Sequence, residues 1–131
     1  MTTPTANTTP IYVAAPRSPG VKLTTGSSTY TGASATQLYV AGSDGGRVER
    51  IRAMPVANGS ASKLLVYRRQ GSAGAFHLLH DWPLGSTTLS DTGTAGNVDI
   101  PLGLNLSAGD EIWVQLTVAA SWDVTLFGGN F

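Results

Sequence analysis

The sequence predicts an all-β fold: a small antiparallel β-sandwich, jelly-roll or Greek-key-like with Ig-like strand order as the alternative, carrying an extended N-terminal arm. Three observations predict it. From Thr36 onward, short apolar runs alternate with turn-forming clusters about every ten residues. No helical 3.6-residue period of useful length occurs anywhere in the chain. Residues 1–43 contain no acidic side chain and only two charges, Arg17 and Lys22, among Thr, Ser, Pro, Gly and Ala.

That leading composition divides the chain into an arm, residues 1–34, and a sandwich domain, residues 35–131. The arm's large apolar side chains are Ile11, Tyr12, Val13, Val21, Leu23 and Tyr30, too few to offset the entropy of ordering the segment on its own. It is therefore expected to lie on a protein surface, either its own body or a neighbouring copy. Fully extended, 34 residues reach about 110 Å, enough to cross onto an adjacent subunit and add to an open sheet edge.

Strands are predicted near 36–41, 47–56, 63–70, 75–83, 97–102, 111–118 and 122–128, with Val21 to Leu23 as a candidate further strand. Between them stand 42–46, 58–60, 71–74, 85–86, 91–97 and 107–110, all rich in Gly, Asn, Asp and Ser, which tolerate positive φ or bond their own backbone.

The last two strands read as a hairpin closed by Ala119, Ala120 and Ser121. In that register Val118 faces Trp122, Leu116 faces Val124, Val114 faces Leu126 and Ile112 faces Gly128, which gathers every aliphatic on a core face. The opposite face then carries Thr117 with Asp123, Gln115 with Thr125, and Trp113 with Phe127. Trp113 and Phe127 would form an exposed aromatic pair needing cover from the arm, a subunit or a sugar.

Residues 63–69 set a similar problem, because Leu65 and Tyr67 point one way while Leu64 and Val66 point the other. A strand apolar on both sides needs two covers, and in so small a body the second could be a neighbouring subunit. In the next strand, Phe76, Leu78, His80 and Trp82 are expected inward and His77, Leu79 and Asp81 outward.

Eight basic and eight acidic residues cancel, and 12% of the chain is charged, so little repulsion keeps copies apart. A neutral chain lacks the basic footprint of nucleic-acid binding, and nothing resembles a membrane span or an anionic-membrane anchor. The start has neither a basic n-region nor an apolar h-region, so no signal peptide is expected and the Asn-x-Ser/Thr matches at Asn7, Asn58 and Asn105 should stay unmodified. Arg47, Arg50, Arg52, Arg68 and Arg69 fall on two successive strands, whereas most acidic residues come later. This segregation suggests one basic patch that meets acidic groups of another copy or of a shell protein.

No catalytic, cofactor or metal constellation is expected. His77 and His80 are three apart on a strand and should face opposite ways unless a bulge intervenes. Asp110 and Glu111 are adjacent at a turn, which suits solvent better than paired acid–base work. Gly42-Ser-Asp-Gly45 lacks the spacing of a nucleophile elbow.

A Ser/Thr/Gly-rich lead followed by GGRVERIRAMPVA, KLLVYRRQ, FHLLHDWPL, IPLGLNLSAGDEIWVQLTV and DVTLFGG resembles the small virion proteins of tailed bacteriophages, across most of Gly46 to Gly128. The resemblance carries no functional residue. It implies a noncatalytic head decoration or cement protein, a homotrimer made in the host cytoplasm. Such a protein sits on the capsid surface and stabilises it by binding the major capsid protein and neighbouring copies. A tail, connector or fibre protein, or a carbohydrate- or receptor-binding module, is the alternative.

Overall fold

The computed structural model describes residues 13–93 and 96–131. Nine strands form in chain order: β1 (Ala15–Arg17), β2 (Gly20–Leu23), β3 (Thr36–Val40), β4 (Gly46–Pro55), β5 (Ser62–Arg69), β6 (Phe76–Leu84), β7 (Val98–Leu106), β8 (Glu111–Leu116) and β9 (Trp122–Asn130). Among the described residues there is no helix. The strands make two antiparallel sheets, one of five strands in the order β1-β9-β4-β7 with β2 also on β9, the other of four in the order β3-β8-β5-β6.

This order is a jelly roll. Strands pair as nested couples, β2 with β9 and β4 with β7 in one sheet, β3 with β8 and β5 with β6 in the other. A long ribbon so folded alternates between layers, and each fold-over closes part of the core. Leu23, Val48, Ile51, Leu64, Val66, Ile100, Ile112, Val114, Leu116, Trp122, Val124 and Leu126 meet there. Each fully buried Leu or Ile contributes about 1.5–3 kcal/mol.

Several expectations are corrected by this topology. Strands β8 and β9 are not a hairpin, because they lie in different sheets. Ile112, Val114, Leu116, Trp122, Val124 and Leu126 do face the core, but Val114 and Leu116 meet Val124 and Leu126 across it instead of along a ladder. Alternation specifies which side of a strand is apolar and is silent on which strand lies beside it. The connection after Leu116 crosses between layers, which leaves Val118 46% exposed where a core position was expected.

The arm is also revised. Residues 13–34 are part of the sandwich, so position 34 marks no boundary between arm and body. Ala14 N donates to Asn130 O at 3.0 Å, β1 pairs with residues 128–130, Leu126 N donates to Pro19 O at 2.9 Å, and β2 pairs with residues 122–125. Together these make one kinked strand along β9. Its proline nitrogens carry no hydrogen to donate, which a sheet edge tolerates. Gly128 allows β4 close on the other side of β9, since a Cβ there would collide with the Arg47 carbonyl. The sites expected at Ile11 and Tyr12 lie outside the described residues.

Strand β6 carries a bulge that splits its expected inward set. Val66 faces His80 and Tyr67 faces Leu78, so Leu79 has no partner and the alternation shifts by one. Phe76 and Leu78 therefore share the outer side with Tyr67, while His80 and Trp82 stay on the core side. The same bulge puts His77 and His80 on one face, opposite Arg68 and Val66, against the expected opposition.

Because β2 is the first strand of the roll, a fragment of residues 35–131 is expected to lose more than about 5 kcal/mol of stability: Leu23 goes, and Leu65 and Tyr67 are uncovered. Urea unfolding followed by near-ultraviolet circular dichroism checks this, and a fragment as stable as the full chain would contradict it.

Candidate interaction surfaces

The outer face of the four-stranded sheet is closed by the chain itself. Leu65 and Tyr67 on β5 and Gln115 on β8 are buried there, outside the main core. Their cover is residues 24–35, which leave β2, cross over β8 and enter β3. Ser27 N donates to Leu116 O at 2.9 Å, and Gly26 bridges the same residue. The Gln115 amide donates to the Ser27 and Thr29 carbonyls at 2.8 and 2.9 Å. Gly32, at φ +85°, lies so close to the Phe76 ring that no side chain fits. The second cover of the 63–69 segment is thus this strap of the same chain.

Trp113 shares this face, though not with Phe127. It packs edge-on against Phe76 at 5.2 Å between ring centroids, and Phe76 packs edge-on against Tyr67 at 6.0 Å. The Arg69 guanidinium lies 4.9 Å from the Phe76 centroid and 5.9 Å from that of Trp113. Glu111 accepts the Trp113 indole N–H at 2.8 Å and lies 3.9 Å from Arg69. Arg68 bonds Asp110 at 2.8 Å, and Asp110 also accepts the Ser107 N–H at 3.1 Å. Asp110 and Glu111, expected in solvent, are both buried and paired with arginine. A buried carboxylate needs such partners.

The outer face of the five-stranded sheet carries Phe127. Arg50 stacks 4.2 Å from its centroid and Arg52 5.9 Å. Both guanidiniums bond one oxygen of Asp99, Oδ1, at 2.8 and 3.0 Å. These hydrogen bonds, that from Arg52 foremost, hold the Asp99 carboxyl below its ordinary pKa. Arg47 pairs with Glu49 and donates to Asn105 at 2.8 Å. Arg50, Arg52 and Asp99 remain about two-fifths exposed, whereas Arg68 and Arg69 are mostly covered.

The structure therefore divides what the sequence grouped. Trp113 and Phe127 sit on opposite outer faces, since β8 and β9 belong to different layers. For the same reason the five arginines form no single basic patch: Arg47, Arg50 and Arg52 lie in one sheet, Arg68 and Arg69 in the other, each beside acidic groups of this chain. Among the arm's apolar residues, Leu23 is in the core, Val21 packs against it, Val13 lies beside Gly129, and Tyr30 is exposed on the strap.

Sequence reasoning missed Gln115 and Asp99 as organising groups. Gln115 had a signal, being a lone amide between apolar neighbours in a buried strand. Asp99 had none, because its arginines are 47 and 49 residues away.

Among the described residues, no group of three or more His, Asp or Glu side chains is placed to hold a metal. An open cleft between Ser86, Thr87, Thr88, Asn97 and Trp122 offers hydroxyls and an amide, and none of its described lining residues is titratable. Comparison with protein-family models, curated proteins and solved structures yields no match. The class the fold and surfaces define is a small jelly-roll sandwich with one outer face strapped by its own chain and the other left bare by the described residues.

Gln115→Leu is expected to cost about 2 kcal/mol, because it leaves the Ser27 and Thr29 carbonyls without their donor. Urea unfolding gives the loss, and faster amide exchange confined to residues 24–34 identifies the strap as its source. A separate expectation concerns alkaline pH. Burial raises the pKa of Tyr39, with the charge of Arg17 opposing, and of Tyr67. The fold thus favours both neutral phenols, a contribution complete below the unfolded value near 10 and lost as pH rises through the higher folded values. Stability should be level up to about pH 10 and fall above it, and Tyr67→Phe should weaken that fall.

Proposed function

We propose that this chain is a noncatalytic structural protein of a tailed-phage virion, a decoration or cement protein. In this reading it acts as a homotrimer at the capsid surface and stabilises the shell by binding the major capsid protein and neighbouring copies. The observation that supports it best is the jelly roll itself, an architecture used repeatedly for shell proteins, with its two outer faces treated differently. One is sealed by the strap, and the other presents half-exposed arginines stacked on an aromatic ring, the residue types enriched where proteins dock.

The sheet edges favour docking through a face over strand addition. Strand β6 carries the Leu79 bulge and Pro83, β3 has a bulge between Gln37 and Tyr39, β7 contains Pro101, and the β1–β2 edge contains Pro16 and Pro19. Bulges and prolines discourage another chain from extending the sheet. Many weak face contacts, repeated around a symmetric shell, then sum to strong attachment.

A carbohydrate-binding reading keeps one supporting observation, the hydroxyl-lined cleft beside Trp122. It no longer has Trp113 as a platform, because that ring is packed against Phe76.

Cryo-electron microscopy of the parent particle tests the proposal. Density for this fold at the junctions between capsid subunits is expected. Density only in the tail would favour the connector reading, and no density in the particle would overturn a virion role. The mass of the purified protein should be three times that of the chain.

A further inference from the structure

On the bare face, charge is incompletely matched. Arg50 and Arg52 both bond the single oxygen Oδ1 of Asp99. Two guanidiniums therefore share one carboxylate, and the group carries one positive charge in excess. The contrast with the four-stranded sheet is direct, since Arg68 and Arg69 there have one carboxylate each, Asp110 and Glu111. The same bias runs through the whole sheet. Strands β1, β2, β4, β7 and β9 hold five basic residues, Arg17, Lys22, Arg47, Arg50 and Arg52, against three acidic ones, Glu49, Asp99 and Asp123. The strands of the other sheet hold Lys63, Arg68 and Arg69 against Asp81 and Glu111, a smaller excess, and the balancing acidic groups Asp44, Asp91 and Asp110 lie in loops.

From this we infer that the Arg50–Arg52–Phe127 patch is a docking site for a carboxylate-bearing segment of a partner protein, an acidic strand or loop. This deepens the virion reading and rests on it, by naming the face that meets the partner and the chemistry that holds it. Three features support the assignment. A guanidinium presents a planar fork that fits a carboxylate with two parallel bonds, and Asp99 already demonstrates that a carboxylate reaches both arginines. Stacking on Phe127 at 4.2 Å holds Arg50 in place before the partner arrives, which reduces the entropy lost on binding. The ring, half-covered by arginine, offers apolar area that a partner's side chain can complete. An incoming carboxylate would take the donors that Asp99 leaves unused and neutralise the excess charge. Exclusion of water from the patch by the partner strengthens those bonds.

The test uses the full chain and a fluorescein-labelled decaglutamate peptide as the probe. Fluorescence anisotropy at low salt should show saturable binding that weakens as salt is added. Arg50→Ala combined with Arg52→Ala should lower affinity by about tenfold or more, with an unchanged thermal unfolding curve. Asp99→Asn should tighten binding several-fold, because it frees both guanidiniums. Lys63→Ala, on the other sheet, should leave it unchanged. Equal binding by the wild type and the double-arginine variant would overturn the site. So would tighter binding of an oligothymidylate of equal charge, since the patch would then be a general polyanion surface. Reconstitution on particles separates this from the virion role. If the double-arginine variant occupies particles as fully as the wild type, the docking face is wrong and the virion role stands. If the wild type binds the peptide but is absent from particles, the virion role is wrong and the carboxylate site stands.

Discussion

Strand β5 places Leu64 and Val66 against the core and Leu65 and Tyr67 on the opposite side, yet a two-layer sandwich offers only one core. The remaining pair must be covered or the sheet exposes a large apolar face. The chain answers with residues 24–35, a segment so polar that it could not fold alone. Its cohesion comes from what lies beneath it: the Gln115 amide gripping two of its carbonyls and the Phe76 ring against Gly32. The strap in turn requires that the residues before it be anchored, and β2 on β9 provides the anchor. Order therefore propagates from one doubly apolar strand to the N-terminal half of the roll.

The fit beneath the strap is incomplete. The Tyr67 hydroxyl and Gln115 Oε1 are buried without hydrogen-bond partners among the described residues. Unpaired buried polar atoms of this kind cost about 1–3 kcal/mol each, so the strap holds less tightly than the core. Stability is thus uneven across the molecule: the layer between the sheets is packed with aliphatics, and the cover over the second sheet depends on a few polar grips.

Charge follows the same division of labour. In the four-stranded sheet, arginine and carboxylate meet one to one and partly buried, Arg69 with Glu111 beside the strap and Arg68 with Asp110 on the other side of β5. On the bare face the pairs are exposed, individually weak, and one carboxylate short. Cation–aromatic contacts appear on both faces, with Arg69 over Phe76 and Trp113 and Arg50 over Phe127. Only the second pair is left where a partner could reach it.

How much of this was legible in the sequence depends on the range of the interaction involved. Period-two alternation and the spacing of turn clusters determined the all-β class, nearly every strand, which side of β8 and β9 is apolar, and that β5 is apolar on both. These are properties of a residue and its near neighbours. The tertiary structure alone decided which strand lies beside which, and each revised expectation traces to that. Ala119 to Ser121 could close a hairpin or cross between layers, and nothing in those three residues distinguishes the two. Once the crossing is made, Trp113 and Phe127 part, and the arginines expected in a single basic patch divide between two sheets. The bulge at Leu79 has the same character, since one unpaired residue inverts a strand's facing without changing its composition. The strap is the clearest case: a Thr/Ser/Gly segment carries no signal of order within itself, because the apolar surface that orders it belongs to strands about 40 to 90 residues away along the chain.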